Sequence, residues 1–245
     1  MKTICNTIWG WRGRVGLIMP AVQTVTEPLY NSIAPMGVSF HTSRLHGTGE
    51  GLGRIAKMEE LVPRAVDELA QSRVNCIAYM CVAGGLIRGI DREKRFCEEI
   101  EERTGIPVIS ALLSTFEALN VLKIRQIVIT GPYTDDFNEL ERKLFESNGF
   151  EVLGSYGLGI KDGFDFAQVE PMDIYSFSKR VWEPSADGLF IACANFNAMP
   201  IIELLETDLK VPVITAHSAV FWKILKTLGI KESLRGFGEL LSEHT

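Results

Sequence analysis

The feature that most constrains this chain is an internal repeat of apolar runs. Gln126-Ile127-Val128-Ile129-Thr130-Gly131-Pro132 echoes Arg14-Val15-Gly16-Leu17-Ile18-Met19-Pro20, down to the closing proline. Gly188-Leu189-Phe190-Ile191-Ala192-Cys193-Ala194-Asn195 answers Asn75-Cys76-Ile77-Ala78-Tyr79-Met80-Cys81-Val82, and each run stops at a cysteine before a loop with small residues. Val211-Pro212-Val213-Ile214-Thr215 matches Ile106-Pro107-Val108-Ile109-Ser110. These runs are long enough for buried strands and too short for helices. Their spacing is that of a duplicated lobe, not of a short-period solenoid.

Between the runs lie stretches with helical spacing: about Ala56 to Gln71, Asp91 to Arg103 and Ser114 to Leu122 in the first half. In the second half they cover about Asp135 to Asn148, Met172 to Trp182, Met199 to Leu209 and Ser218 to Leu228. Strands Val38 to Leu45 and Glu151 to Ser155 complete the pattern, and Ile230 to Thr245 is expected to pack back on the surface. Strands alternating with helices imply parallel sheets joined by right-handed crossovers. The expected fold is therefore α/β, with two pseudo-symmetric lobes, each a parallel sheet flanked by helices. One lobe takes residues 1–115 plus 218–245, the other 116–217. Functional loops of such sheets gather at the carboxyl ends of the strands, which places the active site in the cleft between the lobes.

Bulk properties narrow the function. The 245 residues are 46% hydrophobic and 23% charged, ordinary for a globular protein, and the net charge of -6 comes with no basic stripe for nucleic acid. No run is long enough for a membrane span, and the start lacks a signal-peptide core. Five scattered cysteines, none in a CxxC pair, argue against a disulfide framework or a cysteine zinc site. The expectation is a cytoplasmic enzyme with reduced thiols, no metal and no cofactor. A lobed enzyme of this size often forms a homo-oligomer, although nothing in the sequence marks an interface.

A strand-end cysteine is more often a small buried hydrophobe than a reactive group. The matched pair Cys81 and Cys193 changes that balance, because one thiol per lobe is what two-sided proton chemistry requires. A loop and helix after each strand would favour negative charge and lower the thiol pKa. The amides of Val82, Ala83, Ala194 and Asn195 are then candidates for an anion cradle, and Asn195 or Asn197 for the cap of the helix starting near Met199. Tyr133 and Gln23, with Thr24, lie at equivalent strand ends past Pro132 and Pro20 and are candidate carboxylate partners. His217 and His41 read as structural, as do Cys5, Cys76 and Cys97. The run Gly47 to Gly53 lacks the full dinucleotide fingerprint and reads as a lid over the cleft. No HxxxH, HExxH, Walker or GxSxG pattern occurs.

Taken together, Gly16-Leu17-Ile18-Met19-Pro20, Ser39-Phe40-His41-Thr42-Ser43-Arg44, Tyr79-Met80-Cys81, Gly131-Pro132-Tyr133, Cys193 and Val211-Pro212-Val213-Ile214 resemble the aspartate/glutamate racemase superfamily. The closest branch is that of the maleate cis–trans isomerases and arylmalonate decarboxylases. Tyr133 to Glu139, Phe221-Trp222 and Arg235 to Leu240 look especially like the decarboxylases. The resemblance implies cofactor-free chemistry beside a carboxylate. In the isomerases the first cysteine adds to the double bond and the second handles the proton, roles that would fall on Cys81 and Cys193. In the decarboxylases the first position is glycine and only the second cysteine acts. Two cysteines favour an isomerase or racemase of a small carboxylic or dicarboxylic acid. An arylmalonate-type decarboxylase using Cys193 is the alternative, and a non-catalytic carboxylate-binding or thiol-redox protein is a further one. The resemblance also implies substrate contacts at Pro20, Gln23 and Gly163. This chain departs there, with Gln23 and Gly163 where the isomerases carry asparagines that grip carboxylates.

Overall fold

A computed structural model describes residues 8–48 and 51–245, without the side chains of Gly51 and Leu52. The first sheet is built from β1 (Gly13–Pro20), β2 (Val38–Leu45), β3 (Cys76–Tyr79) and β4 (Val108–Ser110), in the order β2-β1-β3-β4. The second uses β5 (Gln126–Gly131), β6 (Glu151–Gly157), β7 (Gly188–Ile191) and β8 (Val213–Thr215), in the order β6-β5-β7-β8. Every pairing is parallel, and β3 lies on β1 as β7 lies on β5. The duplication extends to single hydrogen bonds. Asn75, just before β3, accepts the backbone N–H of Arg14 through its side chain, and Asp187, just before β7, accepts those of Arg125 and Gln126.

Alternation along the strands sorts the core. Val15, Leu17 and Met19 face one side of the first sheet and share a core with the second lobe, while Ile18, Ile77 and Tyr79 face the other side. That outer side is covered by α2 (Gly51–Glu59), α3 (Val62–Gln71) and α5 (Ile90–Thr104). Helices α6 (Ala111–Val121) and α10 (Ala216–Thr227) pack on each other between the sheets. They too are copies, each opened by the last residue of a strand: Ser110 and Thr215 accept the N–H of Leu113 and Ser218 through their hydroxyls. These caps start the helices at 111 and 216, ahead of the apolar spacing.

Other expectations need correcting. The stretch 56–71 is two helices, because Pro63 in the first turn of α3 cannot continue a helix from α2. Val82–Arg88, read as a loop on account of Gly84 and Gly85, is a helix, α4, whose glycines let Tyr79 and Leu112 approach closely. The strands β3 and β7 end two residues before their cysteines. Neither Asn195 nor Asn197 caps the turn at Met199. The chain after Ile230 packs back on the molecule as expected, most of it exposed or part-exposed, but it sinks Leu240 and Leu241 into the core, and the Trp222 indole N–H donates to the His244 carbonyl. Gly49 and Glu50, in the middle of the expected lid, lie outside the described residues. No helix among those described is long and apolar enough to cross a membrane.

Phe190 on β7 is fully buried and stacks on Phe145, with ring centroids 5.6 Å apart. Phe190→Ala should lower unfolding free energy by about 3–5 kcal/mol through the cavity it leaves, read as a shift of the urea midpoint at unchanged slope.

Candidate active site

The carboxyl ends of β1, β3, β5 and β7 open on one cavity of about 990 Å3, and both Cys81 and Cys193 line it. Cys81 is the N-cap of α4, and its sulfur accepts the Gly84 N–H at 3.4 Å. Cys193 has φ of 80°, a left-handed conformation that non-glycine residues seldom take, and its sulfur accepts the Asn195 N–H at 3.3 Å. The two copies thus bring a thiol to the same place and hold it differently, one on a helix end and one in a strained turn.

Lowered thiol pKa values were expected from the loops; the structure gives the opposite. Burial pushes Cys81 up to about 11, against the pull of the Gly84 N–H. It pushes Cys193 up to about 12, against the Asn195 N–H and the Tyr133 hydroxyl. Desolvation outweighs one amide dipole, so both sulfurs favour their protonated form at neutral pH. Cys81, if ionised, would raise Cys193 further, which couples the two across the cavity.

The loop after β1 ties the lobes together beneath the thiols. Gln23 donates through Nε2 to the Met80 carbonyl at 2.6 Å and accepts the Thr26 hydroxyl. The Asn195 side chain accepts the Thr24 N–H at 2.9 Å and donates to the Gly163 carbonyl at 2.7 Å. The Thr26 hydroxyl also reaches the Ala194 carbonyl at 2.9 Å and His217 Nε2 at 3.2 Å. His217 is fully buried, and desolvation lowers it to about 4, so it is a neutral framework residue at physiological pH.

The cavity brings together Pro20, Gln23, Cys81, Val82, Ala83, Tyr133, Gly163, Cys193 and Asn195; Ala194 is not in its wall. Gln23 and Asn195 face it with side-chain amides already engaged in holding the loops. The motifs at the strand ends gave no sign of an apolar wall of Ile55, Met58, Phe137 and Phe166, or of charged groups of both signs, Arg54 and Lys161 with Asp135, Asp136 and Asp162. Ile55, Met58 and Arg54 come from α2, which begins inside the glycine-rich run at Gly51. Phe137 is one helical turn beyond Tyr133, and Phe166 packs edge-on against Tyr133 at 5.7 Å. Among the described residues no group of His, Cys, Asp or Glu is placed to hold a metal ion.

Behind Tyr133 lies Glu141, 1% exposed, with one carboxyl oxygen lacking a partner. Burial raises it to about 8. Its acid form is therefore favoured by folding: this contribution is complete below the unfolded carboxyl range and is lost as pH rises toward 8. Glu141→Gln should accordingly be more stable than wild type at pH 8, by an amount on the order of a few kcal/mol, with the difference vanishing near pH 4 in paired thermal melts.

The geometry agrees with what similarity to known proteins shows. The arylmalonate decarboxylase family model matches residues 15–241. The maleate isomerase of Geobacillus stearothermophilus is 26% identical, over 94% of this chain and 97% of its own length. The arylmalonate decarboxylase of Bordetella bronchiseptica is 25% identical, over 80% of this chain and 85% of its own. A cysteine-to-serine mutant of the Nocardia farcinica maleate cis-trans isomerase, with a covalently bound succinylcysteine intermediate, matches at a TM-score of 0.88 and 23% identity, covering 95% of this chain and 99% of that one. With the family model spanning both sheets and both cysteines, the chain belongs to the arylmalonate decarboxylase family.

Proposed function

We propose that this chain is a cofactor-independent isomerase of a small carboxylic acid, a dicarboxylate such as maleate in the first instance. The observation that carries this reading is the pair of buried thiols, Cys81 and Cys193, set by equivalent strand ends into one cavity. The isomerase relatives support the same chemistry. We place the enzyme in the cytoplasm, because free cysteines suit a reducing compartment.

A cis double bond isomerises once it becomes a single bond. Cys81 first loses its proton to water in the cleft; the thiolate then adds to one alkene carbon, and the π electron pair moves to the neighbouring carbon, beside the carboxylate. Cys193, held protonated by its burial, gives that carbon its proton. The new single bond rotates, the Cys193 thiolate takes back a proton, and the Cys–carbon bond breaks to leave the trans acid and a Cys81 thiolate. Tyr133 and the amides of Val82 and Ala83 are the groups assigned to the substrate carboxylate and its enolate-like charge.

A second reading draws on the apolar wall of Ile55, Met58, Phe137 and Phe166, which would suit an aryl group. It is decarboxylation of a disubstituted malonate, with Cys193 protonating the enediolate and Cys81 dispensable.

Proton NMR of maleate in deuterated buffer tests both. Cys81→Ala and Cys193→Ala should each abolish isomerisation with the fold intact by circular dichroism. Wild-type-like turnover in either variant would sink the isomerase. Tyr133→Phe should slow turnover by about a hundredfold. Release of carbon dioxide from a prochiral arylmalonate, retained in Cys81→Gly and lost in Cys193→Ala, would instead favour the decarboxylase.

A further inference from the structure

Behind Cys81 lies a polar cluster that takes no part in the steps above. Tyr79, 1% exposed, donates its hydroxyl to Glu59, and Arg88 pairs with that same carboxylate. Arg88 also donates through Nε to the fully buried Glu93 at 2.6 Å, and Glu93 accepts the Ser110 hydroxyl. The guanidinium lies over the rings of Phe96 and Tyr79, 4.0 and 5.0 Å from their centroids. Buried ion pairs add little net stability compared with apolar packing, so stability alone is a weak reason for this cluster.

Gly84 shows where the cluster is aimed. A Cβ at that position would meet the Tyr79 hydroxyl oxygen at 2.8 Å, a Glu59 carboxylate oxygen at 3.0 Å and the Cys81 sulfur at 3.4 Å. Phenol, carboxylate and sulfur therefore converge on one spot that a glycine keeps bare, and the N–H of that glycine binds the sulfur. A phenol has one proton and serves one acceptor at a time. With Cys81 protonated, the Tyr79 proton is directed at Glu59.

We propose that Tyr79 is a positioning residue for Cys81: its hydroxyl turns from Glu59 to the sulfur when the thiol ionises, while Arg88 keeps hold of Glu59. The inference rests on the reading above that Cys81 acts as a thiolate. The thiol proton leaves to water in the cleft, the phenol keeps its own, and only the acceptor of one hydrogen bond changes. The charged and titratable groups bearing on the sulfur are Glu59 from α2, Arg88 from α4 with Glu93 behind it, Tyr79 from β3, and Tyr133 and Cys193 across the cavity, whose wall also carries Arg54, Asp135, Asp136, Lys161 and Asp162. Glu59 opposes ionisation of Cys81, whereas Arg88 and the Tyr79 hydroxyl favour it.

The two variants Tyr79→Phe and Glu59→Gln should therefore move the Cys81 titration in opposite directions. The measurement is the rate of alkylation by iodoacetamide against pH on the whole chain, read at the Cys81 peptide by mass spectrometry with Cys193 as internal control. Tyr79→Phe should raise the midpoint by about one pH unit, making alkylation about tenfold slower at any lower pH. Gly84→Ala, which fills the shared spot, should do the same. Glu59→Gln should lower the midpoint. A general loosening of packing would shift both variants, and Cys193, the same way; that result, or no shift in Tyr79→Phe, overturns the proposal. The titration needs no substrate, so a wild-type protein that leaves maleate untouched would count against the isomerase and leave this test standing.

Discussion

The hydrogen bonds of Asn195 are the constraint on which the site depends. Its side chain takes the Thr24 N–H from the loop after β1 and gives its own amide protons to the carbonyls of Gly163 and Val22, while its backbone N–H faces the Cys193 sulfur. One residue thus joins three loops from two lobes and sets the second thiol. Loss of such a partner leaves buried groups unsatisfied at a cost of about 1–3 kcal/mol each. Thr26 repeats the arrangement one helical turn on, spanning Gln23, Ala194 and His217. These ties act at the cleft, above the apolar core that the two sheets share through α6 and α10.

This also explains what was legible in the sequence. The eight strands, their parallel order and the cavity between their ends follow from apolar runs that occur twice, and a run reports burial directly. Cys81 and Cys193 were visible because they end matched runs. Helix α4 was not, since glycines at 84 and 85 read locally as a turn, whereas in the fold they admit Tyr79 and Leu112 against the helix. The role of Asn195 was misread as a local cap because its partners lie some 171 and 32 residues away in the chain. Gln23 posed the same difficulty: an amide at a strand end suits a carboxylate, and only the fold shows Met80 and Thr26 taking its hydrogen-bonding capacity. The sign of the thiol shifts was missed for a related reason. Dipoles can be inferred from loops and helix starts, but depth of burial belongs to the whole molecule.

Duplication supplied two equivalent addresses, and the chain then made them chemically unlike. Both sulfurs accept one backbone N–H, but Cys81 sits on a helix N-terminus beside a half-buried arginine and Cys193 in a left-handed turn beside a tyrosine. Each has a phenol near it, by a different route. Tyr79 precedes Cys81 by two residues on the same strand, where the second copy has Ile191. Tyr133 comes from beyond β5, where the first copy has Ala21. No ancestral pair of tyrosines can therefore account for both.

The asymmetry has a consequence for the order of proton transfer. Two equal thiols in one cavity would share a proton, with neither committed to acid or base. Here Arg88 lies on the Cys81 side but is paired with Glu59 and Glu93, and Glu59 opposes ionisation of Cys81 more than Arg88 favours it. The Cys193 side holds Glu141, a carboxyl that burial keeps protonated. What eases each thiolate is a hydrogen-bond donor: the Gly84 N–H for Cys81 and the Asn195 N–H for Cys193, each with a phenol beside it. Once Cys81 ionises as the proposed nucleophile, its negative charge raises Cys193 and holds the proton there. The first ionisation thereby sets the nucleophile and the acid together, a division of labour that follows from the coupling between the two sulfurs and not from either cysteine alone.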